Sequence, residues 1–480
     1  MKKGSSIFAS ILLLLLLAFN HAIAYGNTVY QNRDTLAHLW KTREIKINGK
    51  IGITDIATPA TEIPQFLSLA GLPHPCNDSI PEDISTQVTL RNKSLSKDSL
   101  CSADLIWVLR PYLQWLQNID PHLRAEPQPI HFSNVKKADN ISVFDFLSLN
   151  INDTLIVERS INPLFRQGDR ILRINNVPVS QYLQYCYDDR HIYPFTLLTN
   201  YHYAIITAFD YKIQLARNGN IMEINTPGLP WKEVYLKLNQ QCEFQSRLFR
   251  DAKTGYFRIG EFYPNNNLMI KKLRTAIRQT QREGCTSFIL DLRGNLGGNG
   301  HAFDRLLSVF INKPAISYLR GKRLKISPWT LQDYDFLTAD MLGLVIEVPS
   351  QYANKTVYLN QQLYIPGMQF YVLMDKDTSS IAASFCNIMQ YNGAALLAGE
   401  PLRHNALKYG ETVAARYGIS GLYLTVSTVE FDEYSHAVDG VLMPDIDIPY
   451  VARDYLSGRD AMLNKLLEII RKQNEQNFKQ

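Results

Sequence analysis

Residues 287–299, SFILDLRGNLGGN, contain the pattern that decides the fold of this 480-residue chain. The first six of them form a short, nearly unbroken apolar run, which is typical of a strand in a sheet that is covered on both faces. A glycine-rich turn follows the run, and the apolar spacing over residues 301–310 then predicts a helix. We therefore expect a strand, a turn and a helix here, in that order.

The same alternation continues on both sides of this stretch. Residues 256–262 are expected to form a strand and residues 268–282 an amphipathic helix. Further on, the sequence predicts a second apolar strand at residues 369–374 (QFYVLM), a helix at 379–390 and a third strand at 394–397. Strands that alternate with helices imply right-handed crossovers and a largely parallel sheet, so we expect an α/β protein.

The composition excludes several classes of protein. Hydrophobic residues make up 46% and charged residues 20%, as in an ordinary globular protein, which excludes disorder as the dominant state. A formal net charge of +5 does not indicate a surface that binds nucleic acid. The six cysteines have no Cys-x-x-Cys or Cys/His spacing, and no phosphate-binding loop sequence is present, so we expect neither a metal nor a cofactor.

The first 24 residues have the pattern of a secretory signal peptide. A basic start precedes an apolar run at residues 7–19, and the small residues Ala22 and Ala24 mark the expected cleavage site. The run is too short to span a membrane and no cysteine stands directly after Ala24, so we expect neither a membrane span nor a lipid anchor after cleavage. The mature protein is accordingly expected in the periplasm or outside the cell.

The texture of the sequence changes twice along the rest of the chain. Residues 104–115 have an amphipathic pattern that predicts a helix, whereas the polar stretch 77–99 is expected to be a loop, across which an oxidising compartment permits a Cys76–Cys101 disulfide. From residue 143 onward, short alternating strands are predicted. The predicted division is a signal peptide at residues 1–24, a helical N-terminal subdomain at 25–140, a β-rich domain at 141–235, an α/β core at 250–450 and a C-terminal helix at 451–480.

Two of the predicted strand-to-helix turns could carry chemistry. In the first, Gly297 and Gly298 allow backbone N–H groups to point outward, where they could stabilise an oxyanion, although Gly-Gly equally makes a tight turn. In the second, residues 375–380 (DKDTSS) place serines at the start of a helix, where the helix dipole favours developing negative charge. Serine is also among the commonest N-cap residues, so this pattern alone leaves a structural role open.

Taken together, the two turns resemble the motifs of a known family. Residues 291–298 (DLRGNLGG) are similar to the D-L-R-x-N-x-G-G signature of the tail-specific, or C-terminal processing, serine peptidases. Residues 378–382 (TSSIA) resemble the T-A-S-A-A of the same family, in which the serine is the nucleophile. Further similarity follows in family order at residues 399–401, 409–411, 439–441 and 444–446.

The middle of the chain is similar to a module that this family carries. Residues 165–175 (FRQGDRILRIN) resemble the L-x-x-G-D-x-I-L-x-I-N stretch of a PDZ domain, which binds peptide ends by adding a strand to its sheet. Asn176 stands where a glycine is usual, and asparagine tolerates a positive φ. The resemblance implies a PDZ-like β-rich domain that precedes a crotonase-like (ClpP-like) protease core.

The resemblance also implies roles for the residues of the two turns. Ser380 is expected to be the nucleophile, because Ser379 occupies the position of the family's alanine. The oxyanion donors would be the backbone N–H of Gly297 or Gly298 together with that of Ile381.

A serine nucleophile needs a general base, and here the sequence departs from the processing-type members of the family. Those members have a lysine five residues after the glutamate of the G-E segment, whereas this chain has Asn405 there. Lys408 is one alternative. Relatives that resemble the tricorn core protease use a histidine from an N-terminal helical subdomain, and His122, within LQNIDPH, has that position. His122 is the preferred base and Lys408 the second candidate.

An acidic residue is expected to orient His122. The tricorn-like relatives supply it from their C-terminal motif, where Asp439 and Glu411 are the nearest acidic residues of this chain. We predict Asp439 for this role, although an aspartate before Gly440 could equally make a turn.

These features predict an exported serine endopeptidase that cleaves exposed or unfolded polypeptides through an acyl-enzyme on Ser380. The absence of a lysine at position 405 keeps a second hypothesis open, in which a catalytically impaired relative binds peptides through its PDZ-like domain and substrate groove. Polypeptides are the expected partners under both hypotheses. The aromatic side chains of residues 322–366 are expected either to cap the site or line a substrate channel, or else to pack a local core.

Overall fold

The computed structural model of the chain describes residues 44–47, 50–53, 81–94, 102–127, 142–151, 154–183, 210–230, 233–234, 237–238, 244–262, 266–298, 300, 303–353, 356–417, 422–451 and 459–477. The predicted signal peptide and the predicted Cys76–Cys101 disulfide lie outside these residues. Among the described helices, none has the length and apolar character needed to cross a membrane.

The N-terminal region contributes two helices and three strands. The expectation of a loop over residues 77–99 is wrong, because a helix occupies Glu82–Ser94. Acidic residues in its first turn and basic residues in its last turn favour this helix through the helix dipole. Of its described side chains only Val88 is buried, so the apolar periodicity was too weak to indicate it. The bounds are β1 Glu44–Ile47, β2 Lys50–Ile53, α1 Glu82–Ser94, α2 Ser102–Ile119 and β3 Arg124–Pro127.

A β-rich unit follows, as the alternating pattern predicts. Its main sheet is antiparallel in the order β10-β9-β7-β6-β5, with β8 paired to β7, and β4 pairs with β11. Asn175 and Asn176 have φ angles of 50° and 66° and form the predicted turn between β7 and β8. The bounds are β4 Ser142–Val143, β5 Phe146–Ile151, β6 Thr154–Ser160, β7 Arg170–Ile174, β8 Val177–Pro178, α3 Val179–Leu183, β9 Asp210–Arg217, β10 Asn220–Pro227 and β11 Leu229–Pro230.

The remaining elements build two further sheets and their covering helices. In chain order they are β12 Phe244–Phe249, β13 Thr254–Ile259, α4 Asn266–Arg282, β14 Ser287–Asp291, α5 Phe303–Phe310, β15 Ala315–Ser317, β16 Leu319–Lys325, β17 Val345–Glu347, β18 Thr356–Tyr358, β19 Gln369–Met374, α6 Ile381–Tyr391, β20 Leu396–Gly399, β21 Tyr409–Tyr417, β22 Leu422–Glu433, β23 Ile446–Asp447 and α7 Ala461–Asn477. Two 3₁₀ helices lie at Ala339–Met341 and Gln361–Leu363.

The core sheet has the order β12-β13-β14-β19-β20-β23, and every pairing except β12 with β13 is parallel. Successive side chains of β14 point to opposite faces, so Phe288 and Leu290 pack with α4, α5 and α6, whereas Ile289 packs with α7. Helices therefore cover both faces of the sheet. The predicted α/β class and the largely parallel sheet are confirmed.

A second, antiparallel sheet stands beside the core in the order β17-β16-β22-β21, and β3 also pairs with β22. Three aromatic residues of the 322–366 stretch pack on this sheet. The rings of Tyr334, Phe336 and Tyr352 have centroids 4.9 to 5.8 Å apart and belong to one cluster with buried Leu324 and Val429. Of the two expectations for this stretch, these residues meet that of a local core.

Phe385 offers a test of the core packing. Its side chain is fully buried in α6, and its ring packs edge-on against Phe310 with centroids 5.7 Å apart. We expect Phe385→Ala to lower the free energy of unfolding by about 3–5 kcal/mol, because it removes a large apolar side chain and leaves a cavity. Urea-induced equilibrium unfolding measures this loss. Tyr358→Ala, at a residue 77% exposed, is the control and should change stability by less than about 0.5 kcal/mol. A loss below about 1 kcal/mol for Phe385→Ala would contradict the packing.

Candidate active site

The two predicted strand-to-helix turns meet at the carboxyl ends of the neighbouring strands β14 and β19. The hydroxyl of Thr378 donates to the carbonyl of Leu292 at 3.0 Å, and the N–H of Ser379 donates to the carbonyl of Asn295 at 2.9 Å. These two bonds join the second turn to the first. The parallel pairing of the two strands brings the turns together, and the cross-turn bonds fix their relative position.

The carboxylate of Asp375 holds both turns at once. Its Oδ1 accepts hydrogen bonds from the N–H groups of Gly294 at 2.9 Å, Asp377 at 3.1 Å and Thr378 at 3.0 Å. Its Oδ2 accepts from the hydroxyl of Tyr450 at 3.1 Å. The residue is fully buried, so these donors replace the water that a carboxylate would otherwise need.

The Asp-Leu-Arg part of the first motif is structural. Arg293 pairs with Asp291 at 2.6 Å and with Asp460, just before α7, at 2.7 Å, and the hydroxyl of Tyr256 donates to Asp291 at 2.8 Å. Burial alone would raise the pKa of Asp291, but the charge and hydrogen bonds of Arg293 prevail and lower this pKa to about 2. This buried ion-pair network fixes the start of the turn and ties it to the C-terminal helix.

Ser380 is the N-cap of α6 and has a strained backbone. Its φ of 56° and ψ of −133° are unusual for a residue with a side chain, and its hydroxyl makes no capping hydrogen bond. A Cβ on Gly297 would lie only 2.6 Å from the Cβ of Ser380, which explains the glycine opposite it. Ser380 lines a cavity, whereas the N–H of buried Ser379 is bonded to the first turn. Of the two serines, it is thus Ser380 that lines the cavity.

The cavity has a volume of about 610 Å³ and lies between the core helices and the second sheet. Its walls come from the first turn, α5, the start of α6, the loop before β21, and strands β3, β21 and β22. The lining residues are His122, Arg124, Leu296, Gly298, Gly300, Phe303, Tyr318, Ser380, Ile381, Ser384, Ala406, Leu407, Tyr409, Gly410, Glu411, Thr412, Thr425, Phe431 and Glu433.

The two glycines of the first turn differ in what their N–H groups do. The N–H of Gly297 donates to Oδ1 of Asn295 at 2.9 Å, so this group is already engaged. Gly298 lines the cavity with Ile381, and neither of their N–H groups is bonded to another described residue. A Cβ on Gly298 would lie 2.4 Å from the carbonyl oxygen of Phe262, so only glycine fits there. Of the two predicted donors, Gly298 is therefore favoured over Gly297.

His122 lines the same cavity as Ser380, although the two residues are far apart in the sequence. It lies in the turn after α2 and is 6% exposed, and neither of its ring nitrogens has a hydrogen-bond partner among the described residues. Buried polar groups are normally hydrogen-bonded, so an imidazole in this condition at a cavity wall is typical of a functional site.

Asp120 is the acidic residue beside His122. Its Oδ1 accepts from the N–H of His122 at 2.9 Å and lies 3.6 Å from the Nδ1 of the imidazole. Ser427 of β22 donates to the same carboxylate through its hydroxyl at 2.9 Å and its N–H at 3.0 Å. The sequence analysis missed this fully buried aspartate, although its position two residues before the histidine was a usable signal.

The predicted orienting acid, Asp439, does not lie at the cavity. It is exposed, has a φ of 49°, and occupies the turn that joins Val438 to Val441. This is the turn role that an aspartate before Gly440 favours. The structure therefore brings Asp120, and not Asp439, to His122.

The alternative acid, Glu411, does line the cavity but has another partner. Its carboxylate lies 2.9 Å from the Nζ of Lys322, a lysine that is only 6% exposed. The strand is distorted here, since Glu411 has a φ of 49° and its carbonyl accepts from the hydroxyl of Thr428. Glu411 thus compensates a buried positive charge.

The alternative base, Lys408, points away from Ser380. Its neighbours Leu407 and Tyr409 line the cavity, whereas the side chain of Lys408 is 46% exposed and its Nζ lies 3.5 Å from Glu430. Lys408 itself is not among the residues that line the cavity. The structure brings His122 and Ser380 together and leaves Lys408 outside.

Glu433 is a buried cavity residue that no sequence motif indicated. Its carboxylate accepts from the hydroxyl of Ser384 at 2.6 Å and from Nδ2 of Asn387 at 2.8 Å, both in the helix that Ser380 begins. Burial raises its pKa to about 7, although the two hydrogen bonds lower it. Glu433 thus joins β22 to α6 and can hold a proton near neutral pH.

The chain is similar to known proteins in sequence and in fold. Residues 253–448 match the family model described as Peptidase family S41. The structure of mature CPAF complexed with lactacystin is similar with a TM-score of 0.59 at 13% identity, over 88% of this chain and 98% of that one. A serine-to-alanine mutant of CPAF gives 0.57 at 12% identity, over 87% and 97%. At such identities the likeness shows the fold, that of an α/β protease. No match was found among curated proteins.

The raised pKa of Glu433 predicts a pH dependence of stability. A glutamate titrates near 4.5 in the unfolded chain and near 7 here, so the folded state holds the proton more tightly. The stability of the wild type relative to Glu433→Gln should therefore fall as the pH rises from 4.5 to 7 and stay constant above that range. Thermal unfolding of both proteins between pH 4.5 and 8 measures this difference. A difference in Tm that is the same at every pH would contradict the assignment.

Proposed function

We propose that this chain is a serine-type peptidase of family S41, since residues 253–448 match the model of that family. It would be an exported endopeptidase that cleaves exposed or unfolded polypeptides through an acyl-enzyme on Ser380. One observation carries the proposal. Ser380 and the buried His122 line one cavity, and neither ring nitrogen of His122 has a hydrogen-bond partner in the part of the chain that the structure describes. A nucleophile and a base in one cavity are the minimum that acyl transfer requires.

In the proposed first step, His122 takes the hydroxyl proton of Ser380 while the serine oxygen attacks the carbonyl carbon of the scissile peptide bond. The negative charge that develops on the carbonyl oxygen is stabilised by the N–H groups of Gly298 and Ile381. The position of Ile381 at the start of α6 adds the positive end of the helix dipole.

The second half of the reaction returns the proton. The imidazolium of His122 gives its proton to the leaving amine, the C–N bond breaks, and the acyl group remains on Ser380 as an ester. A water molecule then loses a proton to His122 and attacks the ester carbon. The C–O bond to Ser380 breaks, and the serine oxygen recovers the proton. No oxidant, metal or cofactor is needed for this balance.

Asp120 has the electrostatic role in this scheme. Its fully buried carboxylate lies 3.6 Å from Nδ1 of His122, so it stabilises the positive imidazolium that forms in both halves of the reaction. Its bonds to Ser427 hold it in place.

We extend the proposal to the other parts of the chain. The core would be crotonase-like, and the β-rich domain at residues 141–235 would be PDZ-like, with its Gly168-Asp169 turn held by the ion pair of Asp169 with Arg217 at 2.6 Å. The basic, apolar and small-residue pattern of residues 1–24 supports export to the periplasm or beyond the cell.

Loss of the nucleophile gives the first test of this function. Ser380→Ala should abolish labelling of the protein by a fluorophosphonate and cleavage of unfolded casein, because it removes the oxygen that attacks the substrate in the proposed mechanism. His122→Ala should slow labelling by about 10²-fold or more. Both variants should keep the Tm of the wild type within about 3 °C, as measured by circular dichroism.

Two matched variants serve as controls for this test. Ser379→Ala and Lys408→Ala, whose side chains lie outside the cavity, should both label as the wild type does. Cleavage that survives in Ser380→Ala would overturn the mechanism. A folded wild type that binds peptides but neither labels nor cleaves would favour the peptide-binding alternative, to which Asn405 in the lysine position had pointed.

Asp120→Asn tests the electrostatic role separately. The asparagine keeps the size of the side chain but removes the negative charge beside His122, so kcat/KM should fall by about 10²-fold or more. Ser427→Ala keeps that charge and removes one of its hydrogen bonds, and it should cost less than about 10-fold. Hydrolysis of a fluorogenic peptide measures both. An Asp120→Asn variant with wild-type kcat/KM would rule out the role.

A further inference from the structure

Asn405 makes a contact that links two distant parts of the chain. Its side-chain Nδ2 donates to the carbonyl oxygen of Ile119, the last residue of α2, at 2.9 Å. The final carbonyls of a helix have no partner within the helix, so a donor from another segment can fix where the chain leaves it. His122 follows Ile119 by only three residues.

The loop that carries Asn405 is itself firmly held. Asn405 has a φ of 60°, which asparagine tolerates, and its N–H donates to the carbonyl of Gly440 at 2.8 Å. Its carbonyl accepts from the N–H of Lys408 at 2.9 Å. The side chain of Asn405 therefore extends from a fixed backbone.

The same loop also contacts the turn of the nucleophile. Arg403 pairs with the buried carboxylate of Asp377 at 3.1 Å, and Asp377 precedes Ser380 by three residues. Within three residues, the loop thus binds both the segment that bears Ser380 and the segment that bears His122. Together, these two contacts of the loop set the distance between the two segments.

We propose that Asn405 is a positioning residue for His122, which it holds opposite Ser380 by binding the carbonyl of Ile119. This inference rests on the proposed function, because it assumes that His122 is the base. Asp120 attaches the same segment at a second point, through its hydrogen bonds with Ser427. Two attachments fix the orientation of the segment, whereas a single one would allow it to rotate.

Two substitutions of Asn405 separate the contact from the fold. Asn405→Gly removes the amide and still adopts a φ of 60° without strain. Asn405→Asp keeps the shape and also tolerates this φ, but it replaces the donor with an acceptor that faces the carbonyl of Ile119. Asn474→Ala is the matched control, since the side chain of Asn474 donates to the carbonyl of Ala252 at 3.1 Å, far along the chain and outside the cavity.

Both Asn405 variants should react with a fluorophosphonate about 10- to 100-fold more slowly than the wild type, because small displacements of a catalytic group have effects of this size. On a fluorogenic peptide, kcat should fall while KM stays within about twofold, since the substrate contacts remain. Asn474→Ala should label at the wild-type rate. In all three variants the Tm should stay close to that of the wild type.

A double-mutant cycle distinguishes positioning from a general structural effect. If Asn405 acts through His122, Asn405→Gly should cause no further slowing when it is combined with His122→Ala. The same fold-reduction in both backgrounds, or labelling of Asn405→Gly within twofold of the wild type, would overturn the inference. Failure of the proposed function gives a different result, because His122→Ala alone would then label as fast as the wild type.

Discussion

The buried carboxylate of Asp375 is the constraint on which the active-site arrangement depends. It is fully buried, and it accepts hydrogen bonds from the N–H of Gly294 in one turn and from the N–H of Asp377 in the other. A carboxylate buried in this way is stable only while its oxygens are hydrogen-bonded, so both turns are restricted to the arrangement that satisfies it. Gly298 and Ile381, which follow these hydrogen-bonded residues in the two turns, then line one cavity.

Strand β22 extends this constraint to the rest of the site. Near its middle, Ser427 binds the aspartate that precedes His122, and at its end Glu433 binds Ser384 in the helix that Ser380 begins. Six residues of extended strand span about 20 Å. Because β22 pairs with strands on both sides, the separation between His122 and Ser380 is set by a hydrogen-bonded sheet as well as by loops.

The sequence predicted those features of the fold that depend on neighbouring residues. Buried strands, glycine turns and amphipathic helices follow from neighbouring residues, so the α/β core and the assignment of Ser380 to a helix start were accessible. The contacts of Asp120 with Ser427, and of Asn405 with Ile119, join residues about 300 positions apart, and no local pattern encodes them. Helix α1 was missed for the opposite reason, since almost none of its surface is buried and its hydrophobic pattern is correspondingly weak.

Under the proposed mechanism, the geometry also explains why His122, and not Lys408, would be the base. Leu407 and Tyr409 line the cavity, whereas the side chain of the lysine between them lies beside Glu430. The position that holds a lysine in the processing-type relatives is turned toward the end of α2, where its asparagine binds a backbone carbonyl. A lysine there would need to leave that carbonyl in order to reach the serine, and the histidine segment would lose one of its two attachments. Within this fold, Asn405 and His122 therefore belong to one arrangement of the site, and a lysine base at position 405 would require a different arrangement.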